Sequence, residues 1–213
     1  MSALYGSKAI GGVVNIITKK PNKKISGDID IKKGWSSSKG GDESDISLTV
    51  GGKINKNFSF AAFIQKNGID LTKNKDDSTI TDREGKDITN KMLSLWYDID
   101  DTQQLNVSIM DGEETRETID YEKYYDIEKS HKSIGYKKNF DDITMDLKYY
   151  ITSSDSHTQQ YKYTHELEDE VASAEFSIDK FDKNFLVLGF EKSTEKYRKH
   201  YDDAADDITK AIL

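Results

Sequence analysis

Ser44-Asp45-Ile46-Ser47-Leu48-Thr49-Val50-Gly51-Gly52-Lys53-Ile54 is the stretch whose reading decides the fold. Side chains of a strand point alternately to opposite sides, so Ile46, Leu48, Val50 and Ile54 share one face while Asp45, Ser47, Thr49 and Lys53 share the other. A helical period of 3.6 would scramble both sets. Gly51 and Gly52 permit curvature. The pattern returns over 143–152, where Ile143, Met145, Leu147, Tyr149 and Ile151 oppose Thr144, Asp146, Lys148, Tyr150 and Thr152.

Working outward from these two segments, similar strands are expected at 24–34, 58–67, 91–100, 104–112, 130–139, 170–180 and 185–195, nine in all. The last has apolar residues on both sides (Phe185, Leu186, Val187, Leu188), which leaves its register open. Tight turn clusters sit at 55–57, 100–103, 139–142 and 182–184, with longer polar connections at 68–89, 113–128 and 153–168. Short turns on one rim, long loops on the other and strands that alternate apolar with polar are the pattern of an antiparallel outer-membrane barrel. A soluble sandwich turns more often and lacks this asymmetry, and a propeller blade packs four short strands where two long ones are found here. The predicted fold is therefore all-β, a partial antiparallel transmembrane β-barrel. Phe58, Phe140, Phe181 and Phe185, close to the tight turns, fit an interfacial girdle, although aromatic residues favour strands in any setting.

Composition narrows the function classes. The 213 residues are 35% apolar and 33% charged, with one proline, Pro21. A net charge of −8 argues against a nucleic-acid partner, since phosphate neutralisation needs a concentrated basic surface. Cysteine is absent, so there is no disulfide framework, thiolate nucleophile or cysteine-based zinc site. No run approaches the ~20 apolar residues of a spanning helix. The start, Met1 to Gly6, lacks the basic-then-apolar order of a secretory signal.

The first residues read differently from the rest: Ser2-Ala3-Leu4-Tyr5-Gly6-Ser7-Lys8-Ala9-Ile10-Gly11-Gly12-Val13-Val14-Asn15-Ile16-Ile17-Thr18-Lys19-Lys20-Pro21. This resembles the end of the plug domain of TonB-dependent outer-membrane receptors, with Leu4, Tyr5, Gly6, Ser7, Gly11, Gly12 and Asn15 carrying the match. Tyr5-Gly6 and Gly11-Gly12 permit backbone turns, Val13–Thr18 reads as a short β-branched strand, and Lys19, Lys20 and Pro21 end it. A phosphate-cradling loop is the rival, but the GxxxxGK[ST] spacing is absent. The resemblance implies a plug end over 1–22 and a barrel portion over 23–213. The first strand would rise from the periplasmic side near Lys24, placing 35–43 outside and the 55–57 turn at the periplasm.

The same resemblance implies a receptor that binds and imports a metal chelate such as a ferric siderophore, haem or cobalamin. It also implies no enzymatic activity and no cofactor. Its partners would be outer-membrane lipid, the chelate and the TonB complex, the last through a missing N-terminal region; the complete receptor is expected to be a monomer. Such barrels close at 22 strands, so nine would form an excerpt with open edges that does not insert by itself. The alternatives are a non-functional remnant of such a receptor or a soluble β-rich binding protein. Outer-loop aromatic residues are the candidate ligand contacts: Trp35, Tyr121, Tyr124, Tyr125, Tyr161 and Tyr163.

Asp76, Asp77, Asp82 and Glu84 could gather around calcium, but EF-hand spacing is absent and a solvated acidic loop is the expectation. His131, His157, His165 and His200 form no i, i+4 pair, so no zinc centre is expected. His157 and His165 share one expected outer loop, where they could at most touch haem. No catalytic arrangement stands out.

Overall fold

A computed structural model describes residues 20–36, 40–79, 81–121, 124–181 and 184–201, the side chains of 180, 181, 184 and 185 excepted. The plug-like residues Leu4, Tyr5, Gly6, Ser7, Gly11, Gly12 and Asn15 lie outside this set. The strands are β1 (Ser26–Gly34), β2 (Glu43–Lys53), β3 (Phe58–Ile69), β4 (Thr72–Lys73), β5 (Thr81–Arg83), β6 (Gly85–Asp98), β7 (Gln103–Glu117), β8 (Tyr125–Phe140), β9 (Ile143–Thr158), β10 (Tyr163–Phe181) and β11 (Asn184–Tyr201). Nine form one sheet in the order β1-β2-β3-β6-β7-β8-β9-β10-β11, and β4 pairs with β5 in a separate hairpin. Every pairing is antiparallel.

The nine long strands fall where alternation places them, but most reach further toward the long-connection end. The connection expected at 113–128 shrinks to 118–124, and that at 153–168 to a turn at 159–162. Both stretches are polar because they continue as strands past the apolar zone, and polarity alone does not distinguish a loop from a wet strand. The 70–84 connection stays long and holds the β4–β5 hairpin. At the other end Asn55 Oδ1 accepts the N–H groups of Asn57 and Phe58, and Asp100 Oδ1 those of the Thr102 amide and hydroxyl, which close the 54–57 and 99–102 turns.

Register partners share a face, so both faces can be traced across the sheet. On one, Phe60, Leu95, Val107, Ile134, Tyr149 and Ala172 are successive partners. On the other, Ala61, Ser94, Ser108, Ser133, Tyr150 and Val171 are. Pairing also settles the last strand: Leu186 and Leu188 stand opposite Ile178 and Phe176 on the apolar face.

Burial is inverted relative to a water-soluble sheet. Ser59, Ser94, Trp96 and Val171 of the polar face are 0–6% exposed, whereas Ile29 (70%), Leu93 (40%), Ile134 (49%) and Phe190 (67%) lie open on the apolar face. A water-soluble β-protein hides such a surface against a second layer. A continuous exposed apolar face of this extent marks a surface that meets something other than water.

The upper border of the apolar face is straight but slanted. The register row through Lys33 on β1 meets Gly68 on β3, Asp87 on β6, Asp126 on β8 and His200 on β11. Toward the tight-turn end, the first polar residue beyond the apolar set is Lys66, two residues below Gly68; Lys91, four below Asp87; Lys132, six below Asp126; and Lys192, eight below His200. The border thus drops eight residues over the eight strand-to-strand steps of the sheet. At ~3.3 Å per residue and ~4.8 Å between strands, that is a slope of about 35°. Strands of membrane barrels tilt by about 35–45° to the barrel axis, which gives a horizontal belt this same slant across the strands.

Candidate functional site

Above the belt, at the long-connection end, the polar face carries an unusual row. Arg116, Tyr125, Thr158, Tyr163 and Tyr201 are successive register partners on β7, β8, β9, β10 and β11. The next row down, toward the belt, places His165 beside Lys199. Long strands, not loops, therefore hold most of these groups.

Lys199 Nζ lies 4.2 Å from the Tyr163 ring centroid and 4.8 Å from that of Tyr201, and these two rings meet edge to face at 6.3 Å. Tyr161, in the turn, stacks on Tyr163 at 6.0 Å. His165 packs 4.7 Å from Tyr163 and 5.4 Å from Tyr197, whose hydroxyl shares a hydrogen bond with His165 Nδ1 at 2.7 Å. The other ring nitrogen, Nε2, is buried with no hydrogen-bond partner among the described residues. Burial, and secondarily the Lys199 ammonium, lowers the His165 pKa below the ordinary histidine value. On β7, Arg116 is held by Glu114 at 2.6 Å and by Glu84 at 3.7 Å, and its guanidinium lies 5.6 Å from the Tyr125 ring centroid. Two cation–aromatic groups thus flank the buried Thr158.

Of the residues expected from sequence, Tyr125 and Tyr163 open strands instead of lying in loops, while Tyr161 is in the 159–162 turn. Tyr121 and Tyr124 lie in the 118–124 connection, 6.3 Å apart, tied down by Tyr124 N–H to Arg116 O and Gln159 N–H to Tyr124 O. Trp35 is 79% exposed but stands five strands away from β8, about 24 Å by strand spacing, and joins none of these groups. His157 and His165 do not share a loop. They occupy β9 and β10 on opposite faces, with His157 bonded to Thr164 at 3.1 Å.

Arg116, Tyr197, Lys199 and Tyr201 were missed. The signal was the Tyr197-Arg198-Lys199-His200-Tyr201 run, whose period of two puts Tyr197, Lys199 and Tyr201 on one face once it is read as strand.

The acidic residues of the 70–84 connection are engaged in local structure. Asn74 Oδ1 accepts the amides of Asp76 and Asp77, Asn74 Nδ2 donates to Asp82, and Asp77 accepts from Thr79. Those Thr79 hydrogen bonds hold the Asp77 carboxyl below the usual carboxylate range. No group of three or more metal-ligating side chains converges among the described residues.

Strand order, slant and inverted burial together define a class: the wall of a membrane β-barrel. Solved structures of that fold include the siderophore receptor PirA of Acinetobacter baumannii, with TM-score 0.80, 18% identity and coverage of 92% of this chain and 34% of that one. The ferric enterobactin receptor PfeA of Pseudomonas aeruginosa matches with TM-score 0.77, 18% identity and the same two coverages. A PfeA variant in complex with enterobactin matches at 0.73 with 17% identity. At these identities the likeness establishes the fold, that of β-barrel siderophore receptors, whose length the chain spans by about a third. No protein-family model and no curated protein matches the chain.

Proposed function

We propose that the chain is the end of the plug (1–22) and the first part of the barrel wall (23–213) of a TonB-dependent outer-membrane receptor that binds a metal chelate outside and imports it. The observation that carries this reading is the row of Arg116, Tyr125, Thr158, Tyr163 and Tyr201 on the polar face above an exposed apolar belt. In a closed barrel that face lines the lumen, and the row stands at the outer mouth. Tyrosine rings offer stacking area, while the guanidinium and ammonium complement an anionic chelate.

The histidines favour a ferric siderophore over haem. His165 Nδ1 is taken by Tyr197 and His157 is on the lipid-side face, so neither is presented to an iron that needs an axial ligand. A siderophore brings its iron already saturated. Release inward falls to the plug and its TonB partner. The plug assignment is supported by the Lys20 ammonium, which meets the Asp98 carboxylate on the polar face at the tight-turn end.

Fluorescence quenching of the full chain in dodecyl maltoside micelles, with ferric enterobactin, haemin and cyanocobalamin as probes, tests the reading. Saturable quenching by ferric enterobactin is expected, weakened about tenfold, or about 1.4 kcal/mol, by combined Tyr163→Ala and Lys199→Gln. No saturable quenching by any of the three refutes the proposal.

A further inference from the structure

The slanted border of the apolar belt is drawn by lysines. On five of the nine strands the first outward residue beyond the apolar set is Lys33, Lys66, Lys91, Lys132 or Lys192, every one exposed. Each stands seven or eight residues from the tight-turn end of its strand, at Ser26, Phe58, Asp98, Phe140 and Asn184 respectively. At ~3.4 Å per residue and a tilt near 35°, that is about 20–22 Å along the barrel axis. Membrane barrels carry an apolar band of about 25 Å, so the ammonium groups arrive in one plane at its outer limit.

Four of these side chains, Lys33, Lys66, Lys132 and Lys192, have no ion pair or hydrogen bond among the described residues. Lys91 reaches Glu113 at 3.4 Å. This contrasts with the strands above the border, where Glu166 meets Arg198 and Glu168 meets Lys196 across β10 and β11. The cations further out on β11 are thus matched within the protein, whereas four of the five border lysines are left over. Asp111 and Glu170 occupy the same level on β7 and β10, and Glu170 accepts the Tyr149 hydroxyl. The ring is thus basic with two acidic interruptions.

Resting on the barrel-wall reading, we infer that this lysine ring is a docking surface for lipid whose headgroup is an anionic phosphate with no cation of its own, packed around the outer rim of the belt. The occupant follows from charge and depth. A long lysine stem covers apolar surface while its ammonium stays at the headgroup level, where an anion without competing carboxylates is the matching partner. The chemistry required is a phosphate whose charge is not neutralised within its own headgroup, within reach of an ammonium, with acyl chains lying against Ile31, Ile64, Leu93, Ile134 and Phe190 below it.

The test uses the full chain in dodecyl maltoside micelles doped equally with dioctanoyl phosphatidic acid and dioctanoyl phosphatidylcholine. Lipid retained per chain is counted after gel filtration. The wild type is expected to retain phosphatidic acid at least threefold over phosphatidylcholine. A quintuple glutamine variant of Lys33, Lys66, Lys91, Lys132 and Lys192 should lose that preference and still retain phosphatidylcholine. A charge-matched glutamine variant of the polar-face residues Lys32, Lys53, Lys86, Lys129 and Lys137 should keep it. Equal retention of the two lipids by the wild type, or an undiminished preference in the ring variant, overturns the lysine ring and leaves the barrel wall standing. Loss of preference in both variants reduces the effect to net charge and overturns it as well. Failure to take up any detergent or lipid overturns the barrel-wall reading itself.

Discussion

Replacing Leu48 and Thr49 separately by arginine separates the two faces in one experiment. The residues are neighbours on β2, yet Leu48 is on the apolar face, 41% exposed, and Thr49 on the polar one. Leu48 stands four residues below Ser44, where the apolar run of β2 ends. Four residues at ~3.4 Å and a tilt near 35° place it about 11 Å below the border, close to the middle of the belt. Arginine on the lipid face of a barrel costs about 2–4 kcal/mol at midplane, and lumen positions tolerate charge. Taking ~3 kcal/mol and a urea slope of ~2 kcal/mol per molar, Leu48→Arg should lower the unfolding midpoint in micelles by about 1.5 M. Thr49→Arg should leave it within about 0.3 M, the scatter of ordinary surface substitutions. Tryptophan fluorescence during urea titration reads both, because Trp96 is 5% exposed in the sheet. Equal shifts, or the larger shift from Thr49→Arg, would refute the assignment of faces.

Gly52→Ala should destabilise by about 1–3 kcal/mol, because a Cβ there would meet the Ile25 backbone at 2.4 Å, whereas Gly189→Ala meets nothing within 4 Å and should be close to neutral. Paired urea titrations compare them. Ser94 is fully buried and bonded to Ser108 at 2.8 Å, so Ser94→Ala should cost about 1 kcal/mol by leaving Ser108 without its partner, and a double-mutant cycle with Ser108→Ala should recover part of it. The Thr102 hydrogen bonds depress the Asp100 pKa, so its support of the 99–102 turn is complete above the unfolded value near ~3.9 and fades as pH falls through the depressed folded one. Hydrogen exchange at the Thr102 amide should accelerate over that acid window, relative to the intrinsic rate, in the wild type and not in Asp100→Asn. His165 also has a lowered folded pKa, so its contribution is full above ~6.5 and declines as acid charges the partly buried ring. Its imidazole shift in NMR should titrate below that of a free histidine, and a midpoint at or above ~6.5 would contradict the packing described here.

How far the sequence could be read depended on where each residue sits relative to the belt. Inside it, alternation is strong because one face must be apolar, so 44–54 and 143–152 announced both strand and side. Beyond it neither face needs apolar residues, and the β9–β10 stretch around 153–168 looked like a loop although it is paired throughout except at 159–162. Tyr161 and Tyr163 were recognisable as aromatic residues near a strand end, whereas Tyr197 and Lys199 were not, because their relevance depends on pairing with Leu167 and His165. The separation of Trp35 from the tyrosines was likewise invisible, being a consequence of strand order alone.

By itself the sequence determined the nine long strands, the sidedness of the belt on all but the last of them and the end at which the tight turns lie, since these follow from local periodicity and turn chemistry within a few residues of each other, while the β4–β5 hairpin was not legible. Register decided the rest. Only when Arg116, Tyr125, Thr158, Tyr163 and Tyr201 are placed side by side does the proposed binding face arise, and only the slant of one residue per strand brings Lys33 and Lys192 to the same depth. Both depend on which carbonyl each amide finds on the neighbouring strand, a choice among alternatives that differ by whole residues and that the pairing of many side chains across the sheet makes together.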